Sequence, residues 1–291
     1  MSFSLLTQIT ERCESQNKAF WQVIQEEDCR ERDVSPETSF EDMRRMYLAM
    51  AQADGDYDPT LRSESGMAGG DGAKFSAYRL RENRLLGDYL TEVMERALKM
   101  AESNACMKRI VAAPTAGSCG VIPAVLLSYA SCREVTQERL VEALYVAAGI
   151  GEVIAASASI AGAEGGCQAE IGSASAMAAG ALCYLEGGGG QEICHGAALA
   201  LKSLLGLTCD PVAGLVEVPC IKRNASGAVN AVVASQMAMS GIRSAIPPDE
   251  VIDSMRRIGH LLPACLRETG QEGLAVTPTA LRIQNMLKEQ N

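Results

Sequence analysis

Residues 136–157 read TQERLVEALYVAAGIGEVIAAS. Thr136 stands where a helix cap belongs, Glu138 falls in the first turn, and an almost unbroken apolar run of Ala, Val, Leu and Ile follows. The stretch predicts a long Ala-rich helix, buried on most of its circumference. Working outward, the same helical period returns at 167–186 and 191–205, joined by a four-glycine turn at 187–190. It also returns at 85–104, after Pro123, and over 224–241, 249–266 and 278–290. Ahead of these, Ser2 would cap a helix to about residue 25, and Ser39 with Asp42 would open another to about Ala53. Residues 54–74, rich in Gly, Asp and Ser, read as a loop. Strand alternation is scarce. The expectation is an all-α fold: one large helical domain over 1–291, with 1–55 as an outlying helical pair.

Composition narrows the function. Hydrophobic residues make up 47% of the chain but aromatics only 4%, so the apolar mass is small and aliphatic and the helices can approach closely. The net charge of −10 argues against nucleic acid or an anionic membrane as the main partner. The most apolar run, 141–163, carries Glu142 and Glu152 and reads as a buried core helix rather than a membrane span. The first residues lack the basic and apolar regions of a secretion signal, which points to the cytoplasm. Eleven cysteines in a reducing compartment are expected as thiols or metal ligands. No two lie closer than 11 residues, so there is no CxxC and no ferredoxin-type run, and any metal site must be assembled from distant loops.

Three groups of loops stand out. Residues 113–123, APTAGSCGVIP, put glycine and small hydroxyls at the head of an apolar helix, which suits a carboxylate or phosphate as well as it suits a plain cap by Thr115 or Ser118. Residues 63–74, SESGMAGGDGAK, offer a second anion cradle with Lys74 as a charge partner, base or Schiff-base amine; alone, they read equally as a surface loop. The third group is EGGCQAE at 164–170, LTCDPV at 207–212 and VPCIKRN at 218–224. Cys167, Cys209 and Cys220 sit beside Gly or Pro in loops, whereas Cys13, Cys106 and Cys183 fall on helical stripes as small buried hydrophobes. Three thiolates can hold a cubane cluster and leave one iron open, which is what a Lewis-acid hydrolyase needs. His195 and His260 both fall in predicted helices, where a histidine more often packs than catalyses.

Together, SGMAGG at 65–70, PTAGS at 114–118, EGGCQAE at 164–170 and CDPVAGLVEVPC at 209–220 resemble the alpha subunit of the bacterial iron–sulfur L-serine dehydratases. The resemblance runs from about residue 60 to 240. It implies an all-helical catalytic domain that turns L-serine into pyruvate and ammonia. It also implies a [4Fe–4S] cluster on Cys167, Cys209 and Cys220, no pyridoxal phosphate, a separate β subunit, and an oligomer. Some relatives end in a cysteine that ligates the fourth iron; here the last cysteine, Cys265, lies 26 residues before Asn291, so water or no protein ligand is expected there.

On this resemblance Thr115, Ala116, Gly117 and Ser118 would hold the substrate carboxylate, and Ser63, Ser65 and Lys74 would complete the pocket. Lys74, His195 or a residue of the β subunit would take the Cα proton. The rivals are another cluster lyase, such as a cysteine desulfidase or hydroxy-acid dehydratase, a non-catalytic iron–sulfur protein, and a helical protein with no metal.

Overall fold

The structure is a computed structural model that describes residues 3–290. Among the described residues thirteen α-helices follow one another: α1 Leu6–Gln16, α2 Phe20–Arg32, α3 Pro36–Gly55, α4 Asp71–Arg79, α5 Asp88–Ala105, α6 Val121–Cys132, α7 Gln137–Ser157, α8 Gly162–Gly165, α9 Ser173–Leu185, α10 Gly190–Lys202, α11 Cys220–Met239, α12 Pro248–Leu261 and α13 Pro278–Gln290. Among the described residues the only β pairing is an isolated bridge between Cys209 and Arg267. The fold is all-α.

Helix α9 lies at the centre. Every one of its residues is buried, and it packs against α6, α7, α10 and α11. Its sequence, SASAMAAGALCYL, explains how it can be enclosed. Small side chains let four neighbours approach, and of the polar ones Ser175 donates its hydroxyl to the Gly227 carbonyl of α11 at 2.8 Å while Tyr184 donates to Glu142. Helix α7 is long and apolar enough to cross a membrane, but 67% of its most apolar window is buried inside the protein, as befits a core helix. Thr136 caps it as expected, accepting from the Arg139 amide at 3.3 Å.

The N-terminal part differs from the sequence expectation. Ser2 lies outside the described residues. The first predicted helix is two, because Asn17 turns left-handed (φ 51°) and ends α1 before α2 begins. Ser39 is not a cap. Ser35 is, with its hydroxyl accepting from Thr38 and Pro36 in the first turn. Ser39 is instead buried inside α3, donating to Asp28 Oδ2 at 2.6 Å and lying 2.6 Å from the Tyr145 hydroxyl of α7. Trp21, Phe40 and Tyr145 pack ring to ring at that junction.

The predicted loop 54–74 gives way to helix α4 at Asp71. Its cap comes from far along the chain: the Glu102 carboxylate of α5 accepts the amides of Asp71 (2.7 Å) and Gly72 (3.0 Å). Nothing local in the sequence announces such a cap.

The contact between α2 and α7 depends on Gly149. A Cβ there would meet Ile24 Cδ1 at 2.5 Å and Phe20 Cε1 at 3.2 Å. Gly149→Val is expected to destabilise the protein by about 1–3 kcal/mol through overpacking, read as a lower urea midpoint. An unchanged midpoint would show that α2 does not seat on this face.

Candidate active site

The three loop cysteines come together from separate parts of the chain. Cys167 stands between α8 and a π-helical turn, Gln168–Gly172, that leads straight into α9. Cys209 is held by main-chain bonds to the C-terminal segment, its amide donating to Leu266 O (2.9 Å) and its carbonyl accepting from Glu268 N (2.7 Å). Cys220 is the first residue of α11. The three residues are 2%, 3% and 8% exposed, so all are deeply buried.

These thiols sense one another. Burial pushes Cys167 up to about 11, with Glu170 adding to the rise and Arg223 opposing it. Burial, then the charge of Cys167, pushes Cys220 up to about 12. Cys209 is raised further still, by burial first and then by Cys167. Three neighbouring thiols that resist ionisation together form a donor set that a cationic metal group would stabilise. Among the described residues no three His, Cys, Asp or Glu side chains converge on a single-ion position. Three cysteines on three loops are the donor type and number that would each hold one iron of a polynuclear cluster.

Two residues of α11 tie the loops to one another. The half-buried guanidinium of Arg223 donates to Thr208 O (2.7 Å) and to Asp210 Oδ1 (3.0 Å), on either side of Cys209, and lies beside the Cys167 thiol. Asp210 in turn accepts the Leu274 amide at 2.9 Å. Asn224 donates to Gly117 O (2.8 Å) and Cys220 O (3.0 Å), and its Oδ1 accepts from Gly120 N (2.8 Å). The 115–118 turn is thereby fixed to the start of α11.

That turn meets the cysteines through Glu170. Thr115 Oγ1 donates to Glu170 Oε1 at 2.8 Å and lies 3.1 Å from Ser118 Oγ. Burial raises the Glu170 carboxyl, and its charge bears on all three thiols. Glycines make room for it. A Cβ on Gly117 would lie 3.1 Å from Glu170 Oε1, and one on Gly162 would lie 2.8 Å from Oε2 and 3.1 Å from Cys209 Sγ. Ser63 and Ser65 join from the other glycine loop, both donating to Glu217 Oε2 at 2.9 and 2.6 Å, three residues ahead of Cys220.

The other two candidates stand apart. The Lys74 side chain is 79% exposed and pairs with Asp71 at 2.8 Å, an aspartate that also takes Lys222 at 2.6 Å. His195 of α10 accepts the Ser244 amide at Nδ1 (3.2 Å), and burial and nearby Arg243 hold its pKa below the usual histidine range. Among the described residues neither makes a polar contact with the thiols, Thr115 or Glu170. A cleft of about 370 Å³, lined by Ser159, Glu164, Arg256, His260 and Arg267, borders the Cys167 loop without exposing the cysteines.

Glu170, Glu217, Arg223 and Asn224 lay within the quoted motifs but received no role from them. A local signal existed for three: Glu170 follows Cys167 by three residues, and Arg223 and Asn224 follow Cys220 by three and four, the spacings that share a helix face.

A family model described as the serine dehydratase alpha chain matches residues 15–275. The chain is 48% identical over 227 residues to a probable L-serine dehydratase, alpha chain, of Bacillus subtilis (strain 168), covering 78% of this chain and 76% of that one. It is 45% identical over 206 residues to the L-serine dehydratase, alpha chain, of Peptoniphilus asaccharolyticus, covering 70% of each. An L-serine dehydratase of Escherichia coli (strain K12) is 48% identical over 184 residues, 62% of this chain but 40% of that longer one. With a match that spans nearly the whole helical core and every loop of the thiol site, the chain belongs to the serine dehydratase alpha chain family.

Proposed function

We propose that this chain is the catalytic alpha chain of an L-serine dehydratase, converting L-serine to pyruvate and ammonia with a [4Fe–4S] cluster on Cys167, Cys209 and Cys220. The observation that carries the reading is the gathering of three buried thiols, from three loops, beside the Thr115–Glu170 hydrogen bond. The reaction removes the Cα proton and the β-hydroxyl of serine; the released aminoacrylate tautomerises and hydrolyses unaided. Hydroxide is a poor leaving group, and a cluster held by three cysteines supplies an iron free to act as a Lewis acid toward it.

The chain's own residues bind and orient. The Thr115 hydroxyl, kept in place by Ser118 and Glu170, stands at the head of the 116–118 turn. The amides of Ala116 and Gly117 open that turn without intrahelical acceptors, as a carboxylate-binding turn requires. Ser63 and Ser65, fixed on Glu217, supply further hydroxyls on the approach to Cys220. Arg223 and Asn224 hold these walls at fixed spacing, so little reorganisation accompanies binding.

The positions of Lys74 and His195 support a proton acceptor from elsewhere. We assign it to a separate β subunit. The relatives' designation as alpha chains supports such a partner, as does the longer Escherichia coli relative, of which this chain matches 40%.

Anaerobic reconstitution with iron and sulfide, together with a β subunit, is expected to yield pyruvate from L-serine, and air is expected to abolish it. A fully iron-loaded pair that leaves L-serine untouched would contradict the reading. Cys167→Ala is expected to lose the visible cluster absorbance and the activity together. The loss should exceed the roughly 10–100-fold typical of outer-shell changes. Retention of both would sink the ligand assignment.

A further inference from the structure

We infer that Glu170 is the anion that receives the substrate's α-ammonium group, and is therefore the residue that selects an amino acid over a hydroxy acid. This inference rests on the serine dehydratase reading and adds a specificity determinant to it.

The geometry leaves little choice of neighbour. Glu170 bridges the two halves of the site: it accepts from Thr115, lies against Gly117, and bears electrostatically on Cys167, Cys209 and Cys220. A small molecule lying between the 115–118 turn and the thiols has this carboxylate at its side.

The carboxylate is also incompletely satisfied. Thr115 occupies Oε1; among the described residues no hydrogen bond reaches Oε2 and no ion pair includes Glu170. A half-buried carboxylate without a counter-cation is costly, and such groups mark functional sites more often than structural ones. Arg223, a cation that bears on Glu170, is already committed to Asp210 and to the Thr208 carbonyl. Glu268 stands nearby and adds negative charge. The glycines at 117 and 162 preserve this space, since a Cβ at either would crowd the carboxylate oxygens. A ligand ammonium supplies the missing positive charge and up to three donors.

Other carboxylates fit the task less well. Glu217 Oε2 accepts from both Ser63 and Ser65. Glu164 is exposed and takes the Ser159 hydroxyl. Glu268 is exposed. A hydroxy acid offers Glu170 no positive charge, so nothing offsets the repulsion between the carboxylate that both ligands share and Glu170.

L-Alanine and L-lactate test this directly, because they have nearly the same shape, differ in ammonium against hydroxyl, and lack a β leaving group. Their binding to the reconstituted enzyme would be measured by calorimetry alongside turnover of L-serine, with iron content determined for each variant. The wild type is expected to prefer L-alanine by at least about 10-fold, since a charge-assisted hydrogen bond contributes that much. Glu170→Gln should reduce the preference to near parity and raise KM for L-serine more than it lowers kcat. Glu170→Asp, which keeps the charge, should retain part of the preference and decides the matter if Glu170→Gln fails to take up iron. An undiminished preference in both variants overturns the inference, as does a wild type active on L-serine that shows no preference. A collapse of kcat with KM unchanged also overturns it, and would recast Glu170 as a proton-transfer residue. Failure of the wild type to turn over L-serine would instead remove the reading on which the inference rests.

Discussion

Helix α9 is enclosed on every side, and most of the molecule follows from how that enclosure is achieved. All of its residues are buried, between α7 on one flank and α10 and α11 on others. Close approach requires small side chains, so α9 is built mainly from Ala, Ser and Gly, and its neighbours supply glycines where atoms would collide. Gly196 of α10 faces the Cys183 thiol in this way, and Gly227 of α11 faces Ile171. Dense packing of this kind transmits displacement instead of absorbing it.

That rigidity is what places the site. The chain enters α9 from Cys167 through a π-helical turn, a wider coil of the sort that frequents functional sites. Helix α11, packed along α9, begins at Cys220 and carries Arg223 and Asn224 within its first turns. Those two side chains reach the Cys209 loop and the 115–118 turn. Cys209 is bonded through its own backbone to the 266–268 segment. The thiols thus stand at fixed positions because α11 starts at Cys220, Cys167 leads into α9 through the π-helical turn, and a hydrogen-bonded arginine steadies the Cys209 loop.

Much of this was legible in the sequence, and the exceptions have physical causes. Helix α7 ends at Ser157 and begins beside Thr136 because its cap and its apolar run are both local. Cys167, Cys209 and Cys220, picked out by the Gly and Pro beside them, lie within electrostatic reach of one another and are all buried. Ser39 misled because a serine that resembles a cap can equally staple helices, here α3 to α2 and α7. Helix α4 was hidden because its cap, Glu102, lies some thirty residues on. The polar links of the site were hidden for the same reason. Thr115 and Glu170 are 55 residues apart, Ser63 and Glu217 are 154 apart, and Asn224 and Gly117 are 107 apart. Lys74 and His195 stand apart from the thiols on α4 and α10, a placement that residue type does not disclose.

The central claim is that the chain holds a cluster on Cys167, Cys209 and Cys220 and brings L-serine to the one iron they leave uncovered. Mössbauer spectroscopy of protein reconstituted with iron-57 addresses it most directly. The expected result is a three-to-one division of iron sites in which L-serine shifts only the minority signal. Four irons that remain alike and unmoved while L-serine is bound would contradict the claim.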